Sequence, residues 1–232
     1  MIQKIVCISD THLQHDKITE DIPECDLLIH AGDISYKGKQ KDLYSFLSWF
    51  NKQPARHKVF ISGNHDLIFQ KQPKVAWEIL KKYPDIKYLQ SSSEEIEGLK
   101  IWGSPYTPRF FDWAFNLDPD DLEHHWSSIP DDTDIVISHG PMWSVGDEAP
   151  RRNHKGFENV GCRALLYNLT KRVRPILHIC GHIHEGYGAY KKEGIRSINA
   201  AVLDGKYIYK NKPILIEIKE KEIIDINVSR KL

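Results

Sequence analysis

The chain has 232 residues, and its 32 Lys and Arg balance 32 Asp and Glu to a formal charge of zero. That length buries a self-sufficient core and fits one domain spanning 1–232, while the balance argues against the broad basic surface that gripping nucleic acid or an anionic bilayer requires. With 41% hydrophobic and 28% charged residues it reads as an ordinary globule, not a disordered or disulfide-dense chain, although 12 histidines are many for this length. Short apolar runs rich in β-branched residues follow one another: 4–9 (KIVCIS), 26–33 (DLLIHAGD), 58–66 (KVFISGNHD), 99–104 (LKIWGS), 134–140 (DIVISHG) and 176–184 (ILHICGHIH). Each predicts a buried strand. Helical periodicity lies between several of them, at Leu43, Phe46, Leu47 and Phe50, at Val75, Ile79 and Leu80, and at Leu165, Leu166, Leu169 and Val173. Strand and helix therefore alternate.

Beyond residue 195 the pattern changes to strands alone, 196–201, 212–218 and 222–228, separated by Asp204-Gly205 and Lys219-Glu220-Lys221. This predicts either a second, more antiparallel sheet beside a mixed first one or a layered α/β sandwich. Cys7, Cys25, Cys162 and Cys180 form no Cys-x-x-Cys pair and read as buried thiols in a reducing compartment. No stretch approaches the roughly 18 apolar residues of a membrane span, and the N-terminal segment lacks the pattern of a secretion signal. The expectation is a cytoplasmic protein without a membrane partner.

The strands end on metal-ligand residue types: Asp10 and His12, then Asp33, then Asn64, His65 and Asp66, then His139, then His182 and His184. In open α/β sheets the carboxyl ends of the strands form the ligand crevice, so five such ends can converge. Asp10, His12, Asp33, Asn64, His139, His182 and His184 offer carboxylate or amide oxygen and imidazole without thiolate, a mix that suits manganese, iron or zinc better than calcium and does not suit a structural zinc site. Seven ligands exceed what one tetrahedral ion takes and match two octahedral-like ions that share a carboxylate. Such a pair clamps a phosphoryl group, which points to phosphoester hydrolysis.

The blocks Asp10-Thr-His12, Gly32-Asp33, Gly63-Asn64-His65-Asp66, His139-Gly140 and Gly181-His182-Ile183-His184, in this order, resemble the five signature blocks of the calcineurin-like metallophosphoesterase superfamily over residues 5–184. Within it, the strings HAGD, WGSPYTP, DWAFN, ENVGC, RVRP and GHIHEGYG resemble the group of metallophosphoesterase-domain proteins expressed in brain and their bacterial relatives. The resemblance implies a four-layer αββα sandwich of two mixed sheets. It implies two divalent ions, foremost Mn2+, with Fe, Zn, Ni or Co as alternatives. Asp10, His12 and His184 would hold one ion, Asn64, His139 and His182 the other, with Asp33 bridging. The reaction implied is in-line attack on phosphorus by hydroxide held between the ions. His65 would not bind metal; it would face the leaving oxygen as general acid or hydrogen-bond donor, so that His65 and Asp33 are the catalytic pair. Asp66 is expected to orient His65 or cap the segment that follows.

The second block reads GDISYKG and lacks the further Asp and the Arg of the protein Ser/Thr phosphatases, which disfavours a phosphoprotein substrate. His182, replaced by Gly in some brain-type relatives, is present, so an active enzyme is expected. The leading reading is a phosphodiesterase for small phosphodiesters such as 2′,3′- or 3′,5′-cyclic nucleotides. The alternatives are a phosphomonoesterase or nuclease on the same centre, or a metal-binding scaffold without catalysis. A small phosphoester or nucleotide is the expected partner, with no stable nucleic-acid complex; the sequence leaves the oligomeric state open. For substrate contacts the sequence offers Arg151 and Arg152 in the insert 144–157, which either overhangs the site or is a solvated loop. It also offers the loop of Tyr106, Arg109, Phe110, Phe111 and Trp113, where Arg109 would reach a phosphate while an aromatic ring stacks on a base, although most of these aromatics are expected to pack the core. Trp113 is assigned to the core, and His30, His57, His124, His125 and His178 to structural or exposed positions.

Overall fold

The computed structural model describes residues 2–151 and 155–229. In chain order the strands are β1 Lys4–Ile8, β2 Cys25–His30, β3 Ala55–Phe60, β4 Ile86–Tyr88, β5 Ser92–Ile96, β6 Leu99–Ser104, β7 Thr107–Pro108 and β8 Asn116–Leu117. They continue with β9 Ile135–Ser138, β10 Glu148–Pro150, β11 Phe157–Asn159, β12 Leu177–Cys180, β13 Gly188–Lys192, β14 Ile195–Asn199, β15 Ile214–Lys219 and β16 Glu222–Asn227. The α-helices are α1 Gln40–Asn51, α2 Ile68–Lys71, α3 Pro73–Leu80, α4 Pro119–Ser127 and α5 Arg163–Tyr167. A π-helical stretch, Asn168–Val173, continues α5.

Two six-stranded sheets carry the molecule, in the orders β16-β15-β1-β2-β3-β4 and β13-β14-β12-β9-β6-β5. In each sheet four neighbouring strands run parallel, β1 to β4 in the first and β14, β12, β9 and β6 in the second, with antiparallel strands outside them. The strands-only C-terminal segment therefore does not make a sheet of its own, contrary to the first of the two expectations. β14 joins β12, while β15 and β16 extend the first sheet beside β1.

The period-2 alternation of side chains explains the layers. From β1, Val6 and Ile8 face outward with Leu28 and Phe60 onto Phe46, Leu47 and Phe50 of α1 and Ile79 and Leu80 of α3. Their neighbours Ile5, Cys7, Leu27, Ile29 and Val59 face inward and meet Ile101, Ile135, Ile137, Leu177, Ile179 and Ile198 of the second sheet. On the far side Trp102 and Val136 pack against Leu122 and Trp126 of α4 and against Leu165 and Leu169. The result is helix, sheet, sheet, helix, as the resemblance implied. The four cysteines are buried and free, as expected.

Candidate metal centre

The parallel strands β1, β2, β3, β9 and β12 point their carboxyl ends to one edge of the sandwich, where the two sheets are tied directly. The His182 backbone N–H donates to Asp10 Oδ2 at 2.9 Å, and His139 Nδ1 donates to the Ala31 carbonyl at 2.9 Å. Within the first sheet the Asp10 N–H donates to the Gly32 carbonyl at 2.9 Å and the His12 N–H to the Asp33 carbonyl at 3.1 Å. Such close approach demands glycine. A Cβ on Gly63 would lie 2.3 Å from Asp33 Oδ1, and one on Gly181 would lie 2.1 Å from Asp10 Oδ2. Asp10, His12, Asp33 and His182 all have left-handed backbone, with φ of 55°, 40°, 55° and 65°. Each costs about 1–3 kcal/mol, strain that gathers where geometry serves a site.

Two groups of potential ligand atoms occur among the described residues: Asp10, His12 and His184, and Asp33, His139 and His182, the atoms of each group within 4.8 Å of one another. Asn64 adjoins the second, with its Oδ1 2.9 Å from His139 Nε2. Asp33 spans both groups, because its Oδ2 lies 3.7 Å from His12 Nε2 and 3.3 Å from His139 Nε2. The seven ligand candidates read from the sequence are thus brought together.

The chemistry of these donors fits a pair of cations. Nδ1 of His12, His139 and His184 each lies 2.9–3.0 Å from a backbone carbonyl, of Ser35, Ala31 and Asp204 respectively. A carbonyl only accepts, so Nδ1 carries a proton, and Nε2 is the atom whose lone pair the ring offers when it is neutral, the tautomer that metal ligation uses. Asp10 Oδ1 and His12 Nε2 are buried without a hydrogen-bond partner, a condition that a shared cation relieves. Charge gives the same answer. Asp10 and Asp33 are held below the ordinary carboxylate range: burial opposes this, and the neighbouring His184 and His139 outweigh it. Reciprocally, His139 and His184 are pushed up to about 9, since Asp33 and Asp10 beside them overcome the burial that disfavours a charged ring. Burial lowers His12 to about 4 and His182 to about 3, leaving both neutral.

His65 stands beside this cluster, half-buried. Its N–H donates to Asp33 Oδ1 at 2.8 Å and its Nδ1 to the Tyr36 carbonyl at 2.9 Å, which leaves Nε2 free to exchange a proton. Trp113 lies over the ring, with centroids 4.1 Å apart. Its assignment to the core is therefore corrected: it braces the candidate acid. Asp66 does not touch the His65 ring. Its carboxylate accepts from the N–H groups of Gly63, Ile34 and Ser35 and from Ser35 Oγ, locking the second ligand loop to the third. Burial, then the charge of Asp33, raises it to about 7 against those donors. Tyr207, unremarked in the sequence, sits edge-on to His12 and His184 at 4.9 and 5.0 Å. Two buried histidines outside the ligand set hold the frame: His30 links Thr11 Oγ1 at 3.0 Å to the Gly32 N–H at 3.2 Å, and His178 links Ser138 to Ser197, both at 2.8 Å.

A cavity of about 660 Å³ opens on the cluster, lined by Asp33, Asn64, His65, His182 and His184 and by residues 108–111, 149–150 and 158–160. Arg109 lines it, but its guanidinium is bidentate to Asp118, Nε at 2.6 Å and Nη2 at 3.1 Å. Arg151 turns its Nε to the Phe157 carbonyl at 3.2 Å and is not among the lining residues. Arg152 lies outside the described residues. No helix is long and apolar enough to cross a membrane among the described residues.

A two-sheet sandwich with two oxygen-and-imidazole clusters at the strand ends defines a metal-dependent phosphoesterase. Residues 3–186 match the family model described as calcineurin-like phosphoesterase, and the chain belongs to that family. It is 35% identical to metallophosphoesterase domain-containing protein 1 of Homo sapiens, and equally to that of Mus musculus, over 93% of this chain and 71% of the relative. Among solved structures, one from Thermus thermophilus superposes with a TM-score of 0.69 at 12% identity, covering 99% of each chain. A dimetal phosphatase from Danio rerio shares the fold at a TM-score of 0.55 and 12% identity, over 99% of this chain and 96% of that one. The family implies a dinuclear divalent metal centre and small phosphoester substrates.

Proposed function

We propose that the chain is a dinuclear-metal phosphodiesterase acting on small phosphodiesters, with 2′,3′- and 3′,5′-cyclic nucleotides the foremost candidates and manganese the foremost metal. The observation that carries the reading is the position of Asp33 Oδ2 between the two ligand groups, 3.7 Å from His12 Nε2 and 3.3 Å from His139 Nε2. In this arrangement Asp10, His12 and His184 would hold one ion, Asn64, His139 and His182 the other, and Asp33 would serve both. Two bound divalent ions supply Lewis acidity at a phosphoryl oxygen and water acidified to near neutral pKa.

The protein's own groups do the rest. His65 delivers a proton from Nε2 to the leaving oxygen, because Nδ1 is engaged by the Tyr36 carbonyl. Asp33 fixes the His65 backbone through its other oxygen, so ligation and proton delivery share one carboxylate. Trp113 limits the ring's rotation. The aromatic residues beside the ligands suit a flat ester arm.

Hydrolysis of bis-p-nitrophenyl phosphate and of p-nitrophenyl phosphate is measured side by side. The diester rate is expected to vanish on chelation and to return on adding manganese. Indifference to chelator removes the metal mechanism, and a faster monoester makes the enzyme a phosphatase.

A further inference from the structure

The cavity wall that carries Phe110 and Phe111 has an unusual makeup. Phe110 and Phe111 are 45% and 62% exposed, with their rings edge-to-face at 4.4 Å, and Phe110 reaches to 6.5 Å from the His182 ring. Exposed aromatic pairs beside a polar site are costly to leave in water and mark a place where something docks. The local chain holds the pair in place. Asn116 accepts from the Phe110 N–H at 3.3 Å and donates to the carbonyls of Phe110 and Phe111 at 3.2 and 3.0 Å, and Phe111 takes a left-handed φ of 50°. The bidentate Arg109–Asp118 pair anchors the same turn, which is why Arg109 serves the lip and not a phosphate.

Charge around the cavity is as informative as shape. Among the described lining residues Arg109 is the one Arg or Lys, and it is already paired, while Glu158 and Glu185 contribute carboxylates. Among the described lining residues a second phosphate on the substrate would meet acids and no cation that is not already paired, whereas the single reacting phosphate is served at the ligand end.

Resting on the phosphoesterase reading above, we propose that the cavity selects substrates with one phosphate and an uncharged flat arm, which stacks on the Phe110–Phe111 lip. Nucleoside diphosphates and other multiply phosphorylated esters are rejected. The test uses the manganese-loaded protein and three probes that cannot be hydrolysed: phenylphosphonate, propylphosphonate and propane-1,3-bisphosphonate, with binding read by calorimetry. Ring stacking is worth about 1–3 kcal/mol, so phenylphosphonate should bind at least about fivefold more tightly than propylphosphonate. The bisphosphonate should gain nothing from its second charge. Phe110→Ser combined with Phe111→Ser, both on the surface, should bring the phenyl-to-propyl ratio to about one. Equal binding of phenyl and propyl probes, tightest binding of the bisphosphonate, or an unchanged ratio in the double variant overturns the proposal. Because these probes report binding alone, a wild-type protein that shows the preference yet fails to cleave bis-p-nitrophenyl phosphate refutes the phosphodiesterase reading and leaves the lip in place.

Discussion

The parallel strands put two opposite environments a few residues apart. At mid-strand, Ile5, Ile29, Ile137 and Ile179 are fully buried between the sheets among apolar neighbours. Just past the strand ends, Asp10, Asp33, His12 and His139 are buried to nearly the same degree. Burying an Ile side chain stabilises by about 1.5–3 kcal/mol, whereas carboxylates in left-handed backbone cost folding energy. The apolar sandwich thus supports a rim that would not hold its shape alone. The difference teaches which variants should change rate and which should change stability.

The largest effect expected is on rate. His65→Ala should lower turnover by about 10²–10⁴-fold, the share that a positioned acid contributes, with both ions retained. Parallel kinetics and metal analysis check this, and a matching loss of metal would make His65 structural. Next comes stability. Ile137→Ala should lower the unfolding free energy by about 2–5 kcal/mol in denaturant titrations, with turnover per folded molecule preserved. Comparable loss of turnover would erase the distinction between the two environments.

A pH signature should separate chelated from loaded protein. His139 and His184, at about 9 in the fold against 6.5 when unfolded, contribute stability that is fully present below pH 6.5 and lost as pH rises through 9. With an ion on Nε2 in place of the proton, that loss disappears. Thermal melts should therefore show Tm of the chelated protein falling from pH 6.5 to 9 while the manganese-loaded protein changes less. The smallest effect belongs to Trp113→Ala. The ring contact is worth about 0.5–1.5 kcal/mol, so kcat should fall by about tenfold or less without loss of metal.

Much of this division was legible in the sequence. Runs such as KIVCIS and DIVISHG announce strands by composition, and their endings announce ligand types, because both signals are local. What the sequence hides is pairing over long distance. Nothing in residues 196–228 says that β14 joins one sheet and β15 the other, since each strand presents the same alternation to any partner. The roles of Trp113 and Arg109 were hidden for the same reason. An aromatic residue in DWAFN reads as core until His65, 48 positions earlier, is placed beneath it. Arg109 reads as a phosphate ligand, and its pairing with Asp118 shows only in the structure. Asp66 adjoins His65 in sequence, yet its hydrogen bonds go to Gly63, Ile34 and Ser35.

The central claim is that the strand ends hold two ions sharing Asp33. Metal analysis after manganese loading and desalting, run on the wild type and on Asp33→Ala, tests it most directly. The account predicts two ions per wild-type chain and at most one in the variant, with hydrolysis lost. One ion or none in the wild type, or two retained without Asp33, would contradict it.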